Sequence, residues 1–136
     1  MRGREHLGRG RTFLLMSNHQ SLYDVPVVFY VVGPNVRMVA KKELFRVPIF
    51  GPALREGGFI SVDRENRASA IASLAEAKRL FEGGTHVWIA PEGTRSKTGA
   101  LGSFKKGGFV LARDTGIPIL PISLRGTRDA LLAKGL

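Results

Sequence analysis

The sequence contains no cysteine among its 136 residues, and this absence removes several kinds of functional site. It excludes a disulfide framework, a thiol nucleophile and a metal centre with thiolate ligands. The three histidines, His6, His19 and His86, lack the paired spacing of a zinc site, so we expect no bound metal. A reduced, intracellular setting is compatible with the lack of cysteine.

Long apolar runs are also absent. The longest, at 25–32 and 117–124, are about eight residues each and contain proline, whereas a membrane-spanning helix needs about 20 apolar residues. No secretory leader is visible at the start of the sequence. We therefore expect any work on a membrane to take place at its surface, or through a segment outside this sequence.

Several catalytic and nucleotide-binding motifs are missing as well. There is no G-x-S-x-G elbow, and neither Ser17 nor Ser21 lies in a strand-to-helix turn flanked by glycines. There is no Walker A loop and no dinucleotide-binding fingerprint. The sequence thus gives no support for a serine hydrolase, a P-loop enzyme or a nicotinamide-dependent enzyme.

Acidic residues are few, with Asp+Glu 11 against Lys+Arg 21 and a formal net charge of +10. This balance predicts an anionic partner such as phosphate, anionic lipid or nucleic acid. On an anionic leaflet, each basic residue near the surface adds about 1 kcal/mol of attraction. The aromatic residues are not interleaved with basic ones as a base-stacking platform requires, so we expect no nucleic-acid partner.

Hydrophobic periodicity predicts strands that alternate with helices. The predicted strands are 12–17, 37–40, 59–62, 86–90 and 117–124, and the predicted helices are 24–32, 41–45, 49–55, 66–81 and 106–115. In helix 66–81 one face should carry Ile71, Leu74, Ala77 and Phe81. Such alternation over this length indicates a single α/β domain with a mostly parallel central sheet, flanked by helices on both faces.

His19 and Asp24 are the first candidates for chemistry. On a regular helix, residues five apart point about 140° away from each other. Pro26 disfavours a helix that begins before Asp24, so the chain between the two residues can curl and let imidazole and carboxylate meet. Asp24 would then fix the tautomer and leave the other ring nitrogen as a base. Alternatively, Ser21 and Asp24 cap the helix and His19 is an ordinary turn residue.

Three further stretches follow predicted strands or form one. Pro91-Glu92-Gly93-Thr94-Arg95-Ser96 offers a guanidinium, hydroxyls and a flexible glycine for a phosphate, or is a solvated turn. Asp63-Arg64 either places a guanidinium at the site or forms a local ion pair. Ile117-Pro118-Ile119-Leu120-Pro121 is either core or the wall of an apolar groove, and its prolines favour an edge position.

Together these four stretches, in this order, resemble the four sequence blocks of the glycerolipid acyltransferase family. Its best-known bacterial members are 1-acyl-sn-glycerol-3-phosphate acyltransferases. His19 and Asp24 match the H-x4-D block, and the segments 58–64, 91–96 and 117–121 match the second, third and fourth blocks. Segments 41–45 and 104–107 also resemble stretches between the blocks, so the similarity covers nearly the whole chain.

The resemblance implies a glycerol-phosphate acyltransferase-type fold and transfer of a fatty acyl group to the sn-2 hydroxyl of lysophosphatidic acid, giving phosphatidic acid. The donor would be acyl-CoA or acyl carrier protein, with no cofactor and no acyl-enzyme intermediate. His19 would be the base and Asp24 would orient it. The acceptor's glycerol phosphate would be held by Arg64, Glu92, Gly93 and Arg95, with Thr94 beside them and help from Lys41 in preference to Lys42. The enzyme would work on an anionic membrane surface at the cytoplasmic face.

The sequence departs from the family pattern at a few positions. Ala90 stands where phenylalanine is usual, and Ser61 and Val62 replace a bulkier pair. Family members usually extend further at both ends, so residues 1–136 are expected to be a single acyltransferase domain truncated at both ends. Alternatives are an acyltransferase for glycerol 3-phosphate, another lysophospholipid or a lipid amine, or a non-catalytic basic module that binds membrane surfaces.

Overall fold

The computed structural model describes residues 2–8, 10–63 and 66–130. Within them, a five-stranded sheet has the order β3-β2-β4-β1-β5, and every neighbouring pair is parallel. The strands are β1 (Leu14–Ser17), β2 (Val36–Lys41), β3 (Ile60–Val62), β4 (His86–Ile89) and β5 (Ile119–Ile122). The predicted parallel α/β sheet is confirmed, as is the edge position of the strand that contains Pro121.

Helices connect the strands and return the chain for each parallel pairing. They are α1 (Asp24–Val32), α2 (Phe50–Glu56), α3 (Arg67–Glu82), α4 (Gly107–Thr115) and α5 (Thr127–Ala130), with short 3₁₀ helices at Arg4–Leu7 and Lys42–Arg46. The start of α1 at Asp24 agrees with the position inferred from Pro26. Neither α5 nor the first 3₁₀ helix was predicted, because four residues carry too little periodicity.

The central strand β1 is buried on both faces. Leu14 and Met16 enter a cluster with α3 and α4, whereas Phe13 and Leu15 enter a second cluster with α1. Each residue of β1 is less than a tenth exposed. A central strand of a parallel sheet is covered by helices on both sides, which explains why its sequence is an uninterrupted apolar run.

One residue of the predicted apolar face of α3 is misplaced. Ala77 and Phe81 are buried and Leu74 packs against them, but Ile71 is 59% exposed. The prediction is wrong at Ile71 because the first turns of α3 face β3 with serines: Ser69 accepts the Asp63 N–H and Ser73 donates to the Ser61 carbonyl. Ile71, two residues before Ser73, points about 160° away from Ser73 around the helix, toward solvent.

The carboxyl ends of all five strands lie at one edge of the sheet, here called the carboxyl edge. Residues 18–23 follow β1 there, the 3₁₀ helix Lys42–Arg46 follows β2, and the long loop 90–106 follows β4. This edge is where parallel α/β sheets bind ligands. Among the helices that the structure describes, none has the length and apolarity needed to cross a membrane.

Candidate active site

His19 and Asp24 meet at the carboxyl edge, where β1 ends. Nδ1 of the imidazole lies 2.7 Å from Oδ2 of the carboxylate. The same oxygen accepts backbone N–H bonds from Gln20 at 2.6 Å and from Ser21 at 2.9 Å. The chain therefore wraps around the Asp24 carboxylate, which is fully buried, while 19% of the His19 side chain stays exposed.

Helix capping does not account for Asp24. Its carboxylate accepts hydrogen bonds from residues that precede it, whereas a capping side chain accepts from the first turn that follows. No side chain caps the start of α1. The Ser21 hydroxyl accepts only a local bond from the Tyr23 N–H, at 3.2 Å. The turn is built around the contact between histidine and carboxylate.

The environment of Asp24 fixes which nitrogen of His19 can act as a base. Burial alone would raise the pKa of Asp24, but hydrogen bonds from His19 and from the Ser21 and Gln20 backbone, together with the adjoining Thr127 hydroxyl, outweigh it and lower that pKa to about 2. The carboxylate is thus ionised at neutral pH and can only accept. Nδ1 of His19 therefore carries the hydrogen in this contact, and in the neutral tautomer Nε2 keeps its lone pair and has no hydrogen-bond partner within the described residues.

Glu92 holds the turn and the loop after β4 together. Its Oε1 accepts the His19 N–H at 3.0 Å and its Oε2 accepts the Gly102 N–H at 2.7 Å. The His19 carbonyl in turn accepts the Ser96 N–H at 2.7 Å. Glu92 is 5% exposed, so the structure gives this predicted substrate-binding residue two backbone partners and a position behind the histidine.

The predicted cations differ in how they are engaged. Arg95 and Lys41 are exposed, and within the described residues neither side chain forms a hydrogen bond or an ion pair. Lys42 is instead paired with Asp63, which favours Lys41 over Lys42 for an anion. Thr94 is exposed beside Arg95, and Gly93 takes a φ of 74° that suits glycine. Arg64 falls outside the described residues.

An apolar groove of about 540 Å³ opens beside the turn. Asn18, Gln20 and Glu92 line its end next to His19, although the histidine itself is not part of the lining. Most of its remaining wall is apolar and comes from the loop after β4, from α4 and from β5: Leu101, Phe104, Phe109, Ile119, Pro121 and Ile122. Of the two alternatives left open for the last strand, core or groove wall, Ile119, Pro121 and Ile122 agree with the groove wall, and the groove suits a hydrocarbon chain.

Comparison with known proteins identifies the family. A family model described as Acyltransferase matches residues 1–125. The chain belongs to the acyltransferase family. It is 36% identical over 119 residues to the 1-acyl-sn-glycerol-3-phosphate acyltransferase of Haemophilus influenzae, covering 87% of this chain and 50% of that protein. It is 39% identical over 112 residues to the chloroplastic enzyme of that name from Arabidopsis thaliana, covering 82% and 31%.

A solved structure shows the same relationship. The crystal structure of the 1-acyl-sn-glycerophosphate acyltransferase PlsC from Thermotoga maritima matches with a TM-score of 0.78 and 35% identity. The match covers 98% of this acyltransferase chain and 52% of that chain. The chain therefore spans about half the length, or less, of these relatives. The predicted family and the predicted fold are both confirmed.

Sequence reasoning missed two amides beside His19. The Asn18 side chain donates to the Leu124 carbonyl at 2.9 Å and accepts from the Leu124 N–H at 2.8 Å, which ties the ends of β1 and β5 together. Gln20 donates to the Gly99 carbonyl at 3.1 Å. Their position directly before and after His19 was visible in the sequence, but nothing local pairs residue 18 with residue 124.

Thr127 was also missed, and it lies against the carboxylate of the dyad. Its hydroxyl and Oδ1 of Asp24 are both buried, and neither has a hydrogen-bond partner within the described part of the chain. Thr127 is nevertheless among the groups that lower the pKa of Asp24. Because these two unsatisfied atoms adjoin, a small movement lets the hydroxyl donate to Oδ1, so we expect Thr127 to position Asp24.

Replacing Thr127 by valine removes this hydroxyl at nearly constant volume. We expect kcat to fall about tenfold with KM little changed, since a hydrogen bond to a charged group is worth about 1.5–3 kcal/mol. Thr127→Ser keeps the hydroxyl and should retain most of the wild-type kcat. A loss of kcat in Thr127→Ser together with a wild-type kcat in Thr127→Val would show that the methyl group, and not the hydrogen bond, matters here.

Proposed function

We propose that this chain transfers a fatty acyl group from an acyl thioester to the sn-2 hydroxyl of 1-acyl-sn-glycerol 3-phosphate, giving phosphatidic acid. The observation that carries the proposal is the His19–Asp24 pair, with Nδ1 held 2.7 Å from an ionised carboxylate. Relatives that bear the name of this activity add support. Because the chain spans only part of those relatives, the activity of the whole protein remains a proposal.

In the proposed reaction, Nε2 of His19 takes the proton of the acceptor hydroxyl as its oxygen attacks the thioester carbonyl. A C–O bond forms, the tetrahedral intermediate collapses, and the C–S bond breaks. The departing thiolate takes the proton from the imidazolium. Asp24 keeps the imidazole in the required tautomer and stabilises the positive charge that the ring carries between the two proton transfers.

Direct transfer, without an acyl-enzyme, is supported by the lack of a suitable nucleophile near His19. The chain has no cysteine. Ser17 is 2% exposed and its hydroxyl accepts the Trp88 indole N–H at 2.9 Å. Ser21 is 4% exposed and bonds Tyr23, so neither serine pairs with the imidazole.

The acceptor phosphate is assigned in this proposal to the exposed cations of the carboxyl edge. Arg95 offers a bidentate fork and Lys41 a point charge, with Arg64 and Thr94 as further contacts. Gly93, whose N–H donates to the Ala90 carbonyl, shapes the turn that presents Thr94 and Arg95. Glu92 acts by holding the loop against His19. The excess of basic residues, 21 against 11, also suits an anionic donor and an anionic membrane surface at the cytoplasmic face, with no nucleic acid as partner.

An acceptor panel tests the proposed function. Purified protein is given acyl-CoA or acyl carrier protein with lysophosphatidic acid, glycerol 3-phosphate, another lysophospholipid or a lipid amine. We expect the highest kcat/KM with lysophosphatidic acid. A higher value with another acceptor would reassign the substrate. Vesicle binding without acyl transfer to any acceptor would instead support a non-catalytic module.

Arg95→Ala tests the phosphate contact separately. We expect KM for lysophosphatidic acid to rise about tenfold with kcat nearly unchanged, because a guanidinium on the phosphate binds ground state and transition state alike. Arg113→Ala is the matched control, since Arg113 lies in the last turn of α4, which returns to the opposite edge of the sheet. An unchanged KM in Arg95→Ala would remove Arg95 from the proposed phosphate site.

A further inference from the structure

Exposed apolar side chains follow two of the parallel strands at the carboxyl edge, β1 and β2. Two follow β1 and lie between His19 and Asp24, and four more follow β2. They are Leu22, Tyr23, Leu44, Val47, Ile49 and Phe50, with exposures between 38% and 90%. An exposed apolar cluster on one side of a protein indicates a contact surface, whereas scattered single residues do not.

The segment Arg46-Val47-Pro48-Ile49-Phe50, here called the 46–50 tip, is the most exposed part of this cluster. Ile49 is 90% exposed and has a φ of 65°, the only positive φ of a non-glycine residue in the described ranges. The Phe50 N–H donates to the Pro48 carbonyl at 2.7 Å and closes a tight turn centred on Ile49. A β-branched residue is strongly disfavoured in this conformation.

Hydrogen bonds and close packing on the core side hold the strained turn in place. The Arg55 guanidinium donates to the Phe45 carbonyl at 2.6 Å, and the Gly51 N–H donates to the Val47 carbonyl at 2.7 Å. Gly51 packs so closely that a Cβ there would lie 2.2 Å from the Phe45 carbonyl oxygen. The fold therefore keeps an isoleucine in an unfavourable conformation and points it away from the core, which calls for a partner outside the chain.

Positive charge lies within the tip, at Arg46, and before it, at Lys41. Lys41 and Arg46 are exposed, and neither is engaged in an ion pair within the described ranges. Apolar side chains that project between cations match the boundary between headgroups and acyl chains of an anionic bilayer. Nucleic acid offers no apolar layer for Val47, Ile49 and Phe50 to enter.

We propose that the 46–50 tip inserts into the interface of an anionic lipid bilayer and turns the carboxyl edge toward the lipid. Only the benefit of this insertion rests on the proposed function: it would let a lipid acceptor reach His19 from within the membrane. The insertion itself is argued from exposure, strain and charge. It assigns to these residues a role that is separate from catalysis.

The test measures partition onto sedimented vesicles of equimolar phosphatidylcholine and phosphatidylglycerol. Ile49→Asn should partition about tenfold less than wild type, because it loses one apolar insertion. The same variant should unfold at no lower a temperature than wild type, since Ile49 is 90% exposed and asparagine replaces a β-branched side chain at an unfavourable positive φ. Tyr30→Asn is the matched control: Tyr30 is 86% exposed but lies near the other end of α1, so its partition should be unchanged.

Salt separates the apolar contribution from the charged one. Arg46→Gln should lower partition roughly fivefold at low ionic strength, and the difference should vanish at high ionic strength because salt screens it. The loss in Ile49→Asn should persist at high ionic strength. If both losses vanish in salt, the tip stays on the headgroups and the proposed insertion is wrong.

Two further outcomes would overturn the inference. One is that Ile49→Asn partitions onto vesicles as strongly as wild type. The other is that wild type forms a dimer without vesicles and Ile49→Asn is a monomer, which would make the tip a contact between protein molecules. Activity is measured in parallel with a vesicle-bound acceptor and with a water-soluble short-chain acceptor, and Ile49→Asn should lose rate only with the first. If wild type transfers no acyl group but Ile49→Asn still loses vesicle binding, the proposed function fails and the inference stands.

Discussion

Replacing His19 by alanine is expected to lower kcat about a thousandfold or more while the fold persists. The variant removes Nε2, the atom proposed to take the proton of the acceptor hydroxyl. The backbone bonds of residue 19 to Glu92 and Ser96 do not need the imidazole, and the ring is partly exposed, so little packing is lost. Steady-state acyl transfer to lysophosphatidic acid measures the effect, and circular dichroism checks the fold.

His19→Asn separates proton transfer from structural support. The asparagine amide can place an N–H where Nδ1–H now meets Asp24, but it has nothing at the position of Nε2. Under the proposed mechanism both variants should be equally inactive, with the asparagine variant closer to wild type in unfolding temperature. Substantial acyl transfer by His19→Asn would mean that the contact with Asp24 holds the turn and that another group acts as the base.

The local part of the site follows directly from neighbouring residues. Pro26 makes α1 begin at Asp24. Residues 19–23 are therefore not helical and can form a turn that brings the His19 imidazole to the Asp24 carboxylate. Each step depends on residues within one or two turns of each other. Such local preferences act in the same way wherever the segment lies in the fold, which is why the dyad could be predicted without knowing the sheet order.

Contacts between distant segments could not be predicted in this way. The bonds of Asn18 to Leu124 exist because β5 pairs with β1, and the contact of Thr127 with Asp24 depends on the same pairing. The sequence placed Glu92 near the site but not in its buried position under His19, since that depends on β4 lying beside β1. Strand order is a global property, and no local pattern in this sequence encodes it.

Hydrophobic periodicity also could not predict which apolar residues are exposed at the carboxyl edge. The segment 49–55 was predicted correctly as a short helix near its observed position, yet the pattern said nothing about Ile49 standing 90% exposed before it. An apolar residue at a helix start is usually taken as core. Only the turn geometry and the close packing of Gly51 on Phe45 show that Ile49 is directed away from it.

The second large effect is expected for Asp24→Asn, with a fall in kcat of about a hundredfold to ten-thousandfold. The amide oxygen can still accept from the Gln20 and Ser21 N–H groups, so the turn should keep its shape. The variant lacks the negative charge that stabilises the imidazolium. It also no longer forces the hydrogen of the neutral imidazole onto Nδ1, because an amide can either donate or accept. KM for the acceptor should change little, because Asp24 is buried behind His19. A kcat near that of wild type would show that the carboxylate charge has no part in the reaction.

The same variant should also alter how stability depends on pH. The pKa of Asp24 falls from 3.8 to about 2 on folding, so the carboxylate adds stability that is fully present above pH 3.8. That contribution, about 2 kcal/mol, is lost as the pH falls from 3.8 through about 2. Other carboxyl groups titrate in both proteins and cancel in the difference, so denaturant unfolding of wild type minus Asp24→Asn isolates this group. The difference in the free energy of unfolding should be constant at neutral pH and shrink below pH 3.8. Curves of stability against pH that stay parallel down to about pH 2 would contradict the ionised, hydrogen-bonded carboxylate on which the proposed base depends.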